Sequence, residues 1–329
     1  VVLTVAALRL SEPVTLPLTT AVVLLAVTRP LFCWVERRAP RWLAATVATV
    51  AVLLALAVVA GGFALSVGQV AGKAPEIAQR AQALVEQVRE VAQERGVSLP
   101  PAGGAQGSGA QGGGAGQLAE RVFPVLTRVF AAGGLTLERL GLVLAFFLLG
   151  LFEVAAFRDK ALRRLRPAVG EAVVQTAAEA AARVRRFLVA ITKTSLISGV
   201  ATGLFALLVG LDAPLTWGLA AFLLNYVPTI GPFVSVVPPT LYALVQFGGA
   251  GRVALVFFGL GALQFAIGNF VDPLIEGRAV RVSALVILAS VAFWGWLWGV
   301  VGALLAVPLT VVLVTVCERF ERSRWVADL

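Results

Sequence analysis

A few polar side chains stand inside apolar stretches of this sequence, where they could bind a polar solute or an ion. They are Lys193, Asn225, Gln264, Asn269, Asp272 and Glu276. An ionisable group at membrane depth is costly, so it is a functional candidate by default. A carboxylate at Asp272 or Glu276 could carry a proton or bind Na⁺. Lys193 either serves a transport path or extends its ammonium group to the membrane interface.

Each acid also has a structural interpretation that the sequence leaves open. Asp272 could cap a short helix that starts at Pro273, after this proline has broken the preceding helix. Glu276 could pair with Arg278 or Arg281 at the interface. Both acids lie near the end of an apolar segment, where solvation costs little.

The strongest signal is a break inside an apolar stretch, with the sequence NYVPTIGP. Proline lacks a backbone donor and clashes with the preceding turn, so a continuous helix is not expected here. At membrane depth, broken helices occur where they line a cavity or pack inside a bundle. In secondary transporters such breaks form substrate sites, and freed peptide groups there could meet a polar cargo. The alternative is a turn between two short helices at the membrane surface. The residues of this break are Asn225, Tyr226, Pro228, Gly231 and Pro232.

Composition predicts the class of protein that carries these residues. The chain is 59% hydrophobic and 14% charged, with a mean hydropathy of +0.91. Soluble domains have about 25% charged residues. Several apolar runs reach the roughly 20 residues that cross a bilayer, so we predict an all-α, polytopic helical membrane protein.

The remaining composition excludes several functions. The net charge of +9 comes from cations at helix ends, as the positive-inside rule predicts, so no nucleic-acid partner is expected. The chain contains no histidine, and Cys33 and Cys317 form no metal-binding spacing. Enzyme signatures such as GxSxG, HExxH and the Walker A loop are missing. We therefore expect no enzyme activity, no metal and no cofactor.

Three regions follow along the chain. Residues 1–71 are predicted to hold N-terminal transmembrane helices, with spans at 14–34 and 42–70 and the tail of a truncated helix at 1–10. Residues 72–133 form an extracytoplasmic amphipathic insertion with a glycine-rich linker. Residues 134–329 are the transmembrane transport region. It contains a span at 135–157, a cytoplasmic amphipathic helix at 167–187 near anionic lipid, and a span at 188–211.

Two segments of the last region are too long for one span. Residues 214–245 and 283–316 would be about 48 Å and about 51 Å long as helices, against a hydrocarbon core of about 30 Å. Both contain glycine and proline, so we predict two broken, re-entrant hairpins around one ordinary span at 253–270. Two hairpins would place the loop 272–281 in the cytoplasm, where its arginines obey the charge rule. Two tilted single spans are the alternative and would place this loop outside.

Three motifs resemble the autoinducer-2 exporter family of bacterial membrane transporters. They are RFLVAITKTSLISG from Arg186, LTWGLAAFLLNYVPTIGPFVSVVPP from Leu215, and NFVDPLIEGRAVRVSALVILASVAFWGWLWGVVGALLAVPLTVVL from Asn269. The resemblance follows the whole chain in its order of elements, although the glycine-rich run at 100–117 has no clear counterpart. It assigns Asn225, Pro228, Gly231 and Pro232 to a first motif. A second contains Asn269, Pro273 and Gly277, and a third contains Gly302 and Pro308.

The resemblance implies a multi-pass protein of the bacterial inner membrane that contacts lipid and forms a homo-oligomer, with a pentamer as one such assembly. Some members export a furanone-type quorum-sensing signal, and others are similar to Na⁺(Li⁺)/H⁺ antiporters. Three hypotheses follow. The first is an exporter of a small hydrophilic solute, and the second is an antiporter that uses Asp272 or Glu276. The third is a non-transporting membrane scaffold organised by the amphipathic insertion.

Overall fold

A computed structural model describes residues 7–72, 79, 137–276 and 283–319, and every element within them is helical. Most of the insertion predicted at 72–133 lies outside the described residues. Six of the helices are long and apolar enough to cross a membrane, which confirms the predicted all-α membrane fold. The helices are α1 (Glu12–Glu36), α2 (Arg41–Gly72), α3 (Leu137–Arg164), α4 (Pro167–Val209), α5 (Pro214–Leu224), α6 (Ile230–Phe247), α7 (Ala250–Ala266), α8 (Asp272–Glu276) and α9 (Ala284–Arg319).

Helices α1 and α3 run parallel. Arg139 lies 3.5 Å from Glu12 at one end, and further along Gly150 packs against the Leu25 side chain. Helix α2 returns antiparallel after a short turn, which an ion pair of 2.7 Å between Arg41 and Glu36 closes. Small side chains on α1 and α2 let these helices approach closely, as is common in membranes. We call the end of the bundle that holds Glu36 the basic end, and the opposite end the far end.

Helix α4 contains two segments that the sequence analysis predicted as separate helices. The predicted surface helix at 167–187 and the span at 188–211 form one helix of 43 residues, about 64 Å long. The physical reason is composition. The alanine-rich first half has high helix propensity and no proline after position 167, so nothing ends the helix before the span begins.

Helices α5 and α6 form the first hairpin. The Gln246 side chain, at the end of α6, donates to the Gly210 carbonyl (2.8 Å) and accepts from the Asp212 N–H (2.9 Å). The rings of Trp217 and Tyr242 have centroids 5.3 Å apart. The start of α5 thus lies beside the end of α6, so the chain doubles back at the predicted break.

Helix α9 contains the second hairpin. Its backbone leaves helical geometry at Trp298 and at Gly299, where φ is +64°. The Ser290 hydroxyl donates to the Ala306 carbonyl at 3.3 Å and contacts the Thr310 hydroxyl. In a continuous helix these residues would be about 24 Å and about 30 Å away. Both predicted hairpins are therefore confirmed.

A cysteine pair tests the second hairpin directly. We expect S290C with T310C to form a disulfide in the intact membrane protein, because the two side chains touch. S290C paired with L313C is the matched control, since Leu313 is exposed on the outer face of its arm. Both pairs are made in a background without Cys33 and Cys317. A mobility shift on oxidation of the control pair alone would contradict the hairpin.

The hairpins enter from opposite ends of the bundle. The first opens at the far end, where α4 ends. The arms of the second return to the basic end, where Glu318 pairs with Arg183 at 2.7 Å. Ile287, near the start of the first arm, packs in the same region. This arrangement favours the two-hairpin topology for the α8–α9 connection, although Arg278 and Arg281 lie outside the described residues.

Candidate functional site

One face of α4 carries four hydroxyl side chains that are no more than 1% exposed. They are Thr194, Ser195, Ser198 and Thr202. Their spacing places them on one side of the helix. Gly199 lies between them, and a Cβ there would be 2.8 Å from the Gly218 carbonyl oxygen. Helices α4 and α5 therefore touch through their glycines, and the hydroxyl face is pressed against the first hairpin.

Asn225 connects the break between α5 and α6 to the hydroxyl face of α4. It follows the last residue of α5 and is 4% exposed. Its Nδ2 donates to the Ser195 hydroxyl at 3.1 Å, and a longer contact of 3.5 Å joins it to the Thr194 hydroxyl. These are the interhelical hydrogen bonds that a buried asparagine in a membrane protein needs, and they fix the break against α4.

Gln264 joins a third element to the same face. This α7 side chain is 6% exposed. Its Oε1 accepts from Ser198 at 3.1 Å, and its Nε2 donates to Thr202 at 3.3 Å and to Ser235 of α6 at 3.1 Å. The bonds of Asn225 and those of Gln264 form two groups on the same face of α4, and together they join α4, the first hairpin and α7; we call them the polar network.

The break leaves fewer free peptide groups than the sequence predicted. The N–H groups of Tyr226 and Val227 donate to carbonyls at the end of α5, and those of Ile230 and Gly231 donate to carbonyls of the turn, at 2.7–3.3 Å. Thr229 has a positive φ of 63° and so holds the turn in an unusual conformation. Buried side chains, more than peptide groups, thus give this junction its polar character.

Tyr226 links the tip of the first hairpin to the second. Its hydroxyl oxygen lies 2.8 Å from that of Thr192, and its ring packs edge-on against Phe222. The same ring packs on an apolar cluster of α4 and α9 that includes Phe187 and Val307. The tip of the first hairpin therefore rests on a cluster to which the second arm of the other hairpin contributes.

Asp272 lies on the continuation of α7. A π-helical turn, Ile267–Val271, precedes it and inserts one extra residue, so the chain stays helical through Pro273 instead of breaking there. The inserted residue keeps Asp272 on the face of Gln264, and α8 packs against α4. Its Oδ1 is buried and has no hydrogen-bond partner among the described residues. This unpaired oxygen does not fit the interpretation of Asp272 as a helix cap.

The other candidates lie apart from the network. Lys193 is on the exposed face of α4. Asn269 is exposed, and its Nδ2 donates to the Phe265 carbonyl of its own helix at 2.8 Å. The side chain of Glu276 lies outside the described residues. Among the residues that the structure describes, no group of three or more His, Cys, Asp or Glu could hold a metal ion.

Sequence reasoning missed Ser235 and the hydroxyl face of α4. A usable signal existed on α4, because Thr194, Ser198 and Thr202 recur at helical spacing in an apolar span. Ser235 gave no such signal, since a single serine in an apolar helix most often bonds to its own backbone.

These features define a multi-pass helical membrane protein with broken helices around a buried polar junction, an arrangement typical of secondary transporters. The family model for AI-2E family transporters matches residues 1–322. The chain belongs to this family of membrane transporters.

Similar proteins have been named in several bacteria. The chain is 35% identical over 221 residues to the AI-2 transport protein TqsA of Escherichia coli K12. The matched region covers 65% of this chain and 62% of TqsA. It is 41% identical over 129 residues to the E. coli K12 protein YhhT, covering 39% of this chain and 37% of YhhT. The chain thus spans less than two thirds of the length of either relative.

Proposed function

We propose that this protein carries a small hydrophilic solute across the bacterial inner membrane, past the junction of α4, the α5–α6 break and α7. The first candidate cargo is a signal of the autoinducer-2 type, since the E. coli relative TqsA is named for AI-2 transport. The observation that carries the proposal is the polar network of Asn225 and Gln264, buried at the place where a membrane helix is broken.

The energetics of this network suit a transport site. Interhelical hydrogen bonds between side chains in membranes are worth about 0.6 kcal/mol each. A cargo with several hydroxyl or carbonyl groups can therefore replace them at small cost. An apolar junction would offer such a cargo no partner and would exclude it.

The proposed path is lined by Asn225, Tyr226, Gln264 and Asp272. Pro228, Gly231 and Pro232 shape the break that brings the first two into position. We place Lys193 and Asn269 outside the path, because the structure shows them exposed and unconnected to the network. Residues 1–71 and 134–329 would form the membrane part, and 72–133 an extracytoplasmic insertion.

The antiporter and scaffold hypotheses have less support. The relatives reported above do not support Na⁺(Li⁺)/H⁺ antiport, and TqsA is named as a transport protein, which disfavours a non-transporting scaffold. The same name supports transport without an enzymatic step. We further propose an inner-membrane location and a homo-oligomer, on the basis of family resemblance alone.

Flux through proteoliposomes tests the proposal. We expect N225A to lower the flux of a furanone-type signal about five- to tenfold, because it removes a side chain that could offer the cargo two hydrogen bonds of about 0.6 kcal/mol each. N269A is the matched control, since it removes the same side chain from an exposed position. It should keep flux near the wild-type level. Equal flux in N225A and wild type, at equal thermal stability, would contradict the proposed path.

A further inference from the structure

The turn between α3 and α4 follows a bend in α3. The axis of α3 bends by 52° between Glu138–Val154 and Ala156–Arg164, where the apolar span meets its first cations. Helix α4 begins shortly afterwards at Pro167. We call residues 156–173 the basic turn. Because of the bend, the end of α3 does not continue along the direction of its span.

Close packing holds the basic turn in this position. A Cβ at Gly170 would lie 2.7 Å from the Ala161 carbonyl oxygen and 3.3 Å from the Leu162 Cα, so the two backbones touch. The Leu165 N–H donates to the Ala161 carbonyl at 3.2 Å. The end of α3 and the start of α4 are therefore held against each other by backbone contact.

Large apolar side chains are exposed on the basic turn. No neighbouring helix of the described structure covers them, although they lie beyond the apolar part of α3. They are Phe157 (64% exposed), Leu162 (38%), Leu165 (42%), Val169 (48%) and Val173 (38%). Interfacial helices typically combine such side chains with cations and insert them between lipid headgroups.

The charge of the basic turn is complementary to an anionic surface. It holds two acids, Asp159 and Glu171, against five cations, which are Arg158, Lys160, Arg163, Arg164 and Arg166. Within the described part of the chain, none of these cations forms an ion pair, whereas Arg41 and Arg183 each pair with a glutamate. The guanidinium groups are thus free to bind phosphate oxygens, often with two parallel hydrogen bonds.

We propose that the basic turn is a binding surface for anionic phospholipid headgroups in the leaflet at the basic end of the bundle. The arginines bind the phosphates, and the exposed apolar side chains insert beside the acyl chains. Continuity with the α3 span supports lipid as the occupant, because the same helix passes from the hydrocarbon region into this turn.

Site-directed fluorescence quenching tests the proposal. V169C is labelled with a bimane dye, in a background where Cys33 and Cys317 are alanine, and the full chain is placed in nanodiscs. Brominated phosphatidylglycerol and brominated phosphatidylcholine are compared at equal mole fraction. We expect stronger quenching by phosphatidylglycerol. The triple variant R163Q/R164Q/R166Q should lower this preference more than tenfold, since each cation near an anionic surface contributes about fivefold.

A variant at the same end of the bundle provides the control. R37Q lowers the charge there without touching the basic turn, and it should leave the preference at the dye unchanged. Equal quenching by the two lipids, or a preference that survives the triple variant, would overturn the proposal. Absence of quenching by either lipid would also overturn it. A cross-link between two unlabelled V169C copies, with no lipid quenching of the labelled protein, would identify a second copy of the chain as the occupant.

Discussion

Replacing Gly302 by alanine is expected to destabilise the protein by at least about 3 kcal/mol, at the upper end of what overpacking costs. A Cβ at this position would be 2.0 Å from the Trp294 carbonyl oxygen and 2.9 Å from the Trp298 Cβ. The first of these neighbours is backbone and cannot turn away. The two arms of the second hairpin would have to separate, which would also displace the Ser290–Thr310 contact.

Replacing a second glycine provides a control, because it should leave the stability unchanged or raise it. Gly261 lies in α7 with nothing within 4 Å of its hypothetical Cβ. G261A should leave stability unchanged or raise it by up to about 1 kcal/mol, because alanine favours a helix over glycine. Unfolding by denaturant in detergent micelles measures both variants. If G302A were as stable as G261A, the close packing of the two arms would be wrong.

Replacing Gln264 by leucine should abolish most solute flux and lower the free energy of unfolding by about 1–3 kcal/mol. Leucine has a similar size but leaves the hydroxyls of Ser198, Thr202 and Ser235 without this partner. A buried polar group that loses its partner costs about 1–3 kcal/mol. Thermal unfolding and proteoliposome flux are measured on the same preparation.

A compensated variant separates stability from transport. Q264L combined with S198A, T202V and S235A replaces every polar member of this part of the network by an apolar group. Such a replacement can be nearly neutral for stability. We expect stability to return towards the wild-type value while flux stays low, because the polar lining is gone. Recovery of flux together with stability would show that Gln264 serves only to pack the helices.

The sequence predicted the two breaks because their causes are local. Pro228, in the turn after α5, prevents a regular helix by its own chemistry, and Pro232 is tolerated because it falls in the first turn of α6. In the second segment, Gly299 adopts a positive φ that other residues rarely reach, and the segment was too long for one span. The length of each segment and the glycine and proline residues within it were therefore sufficient to predict two hairpins.

The partners of the break could not be predicted in the same way. Asn225 was a candidate, but its bond to Ser195 depends on how α5 crosses α4, which two glycines decide through close backbone contact. The π-helical turn before Asp272 was also missed, since no single residue in IGNFV requires it. The sequence at 167–187 suggested a separate helix because its polarity changes there, yet polarity does not end a helix.

The packing of Tyr226 against the second hairpin has a consequence for the whole bundle. Its ring packs on a cluster that contains Val307 of the second arm and Phe187 of α4, and Ile287 of the first arm packs on the same cluster. Any shift of one tip must therefore re-pack the support of the other. Under the proposed function, solute binding that moves one hairpin would therefore change the packing energy of the other.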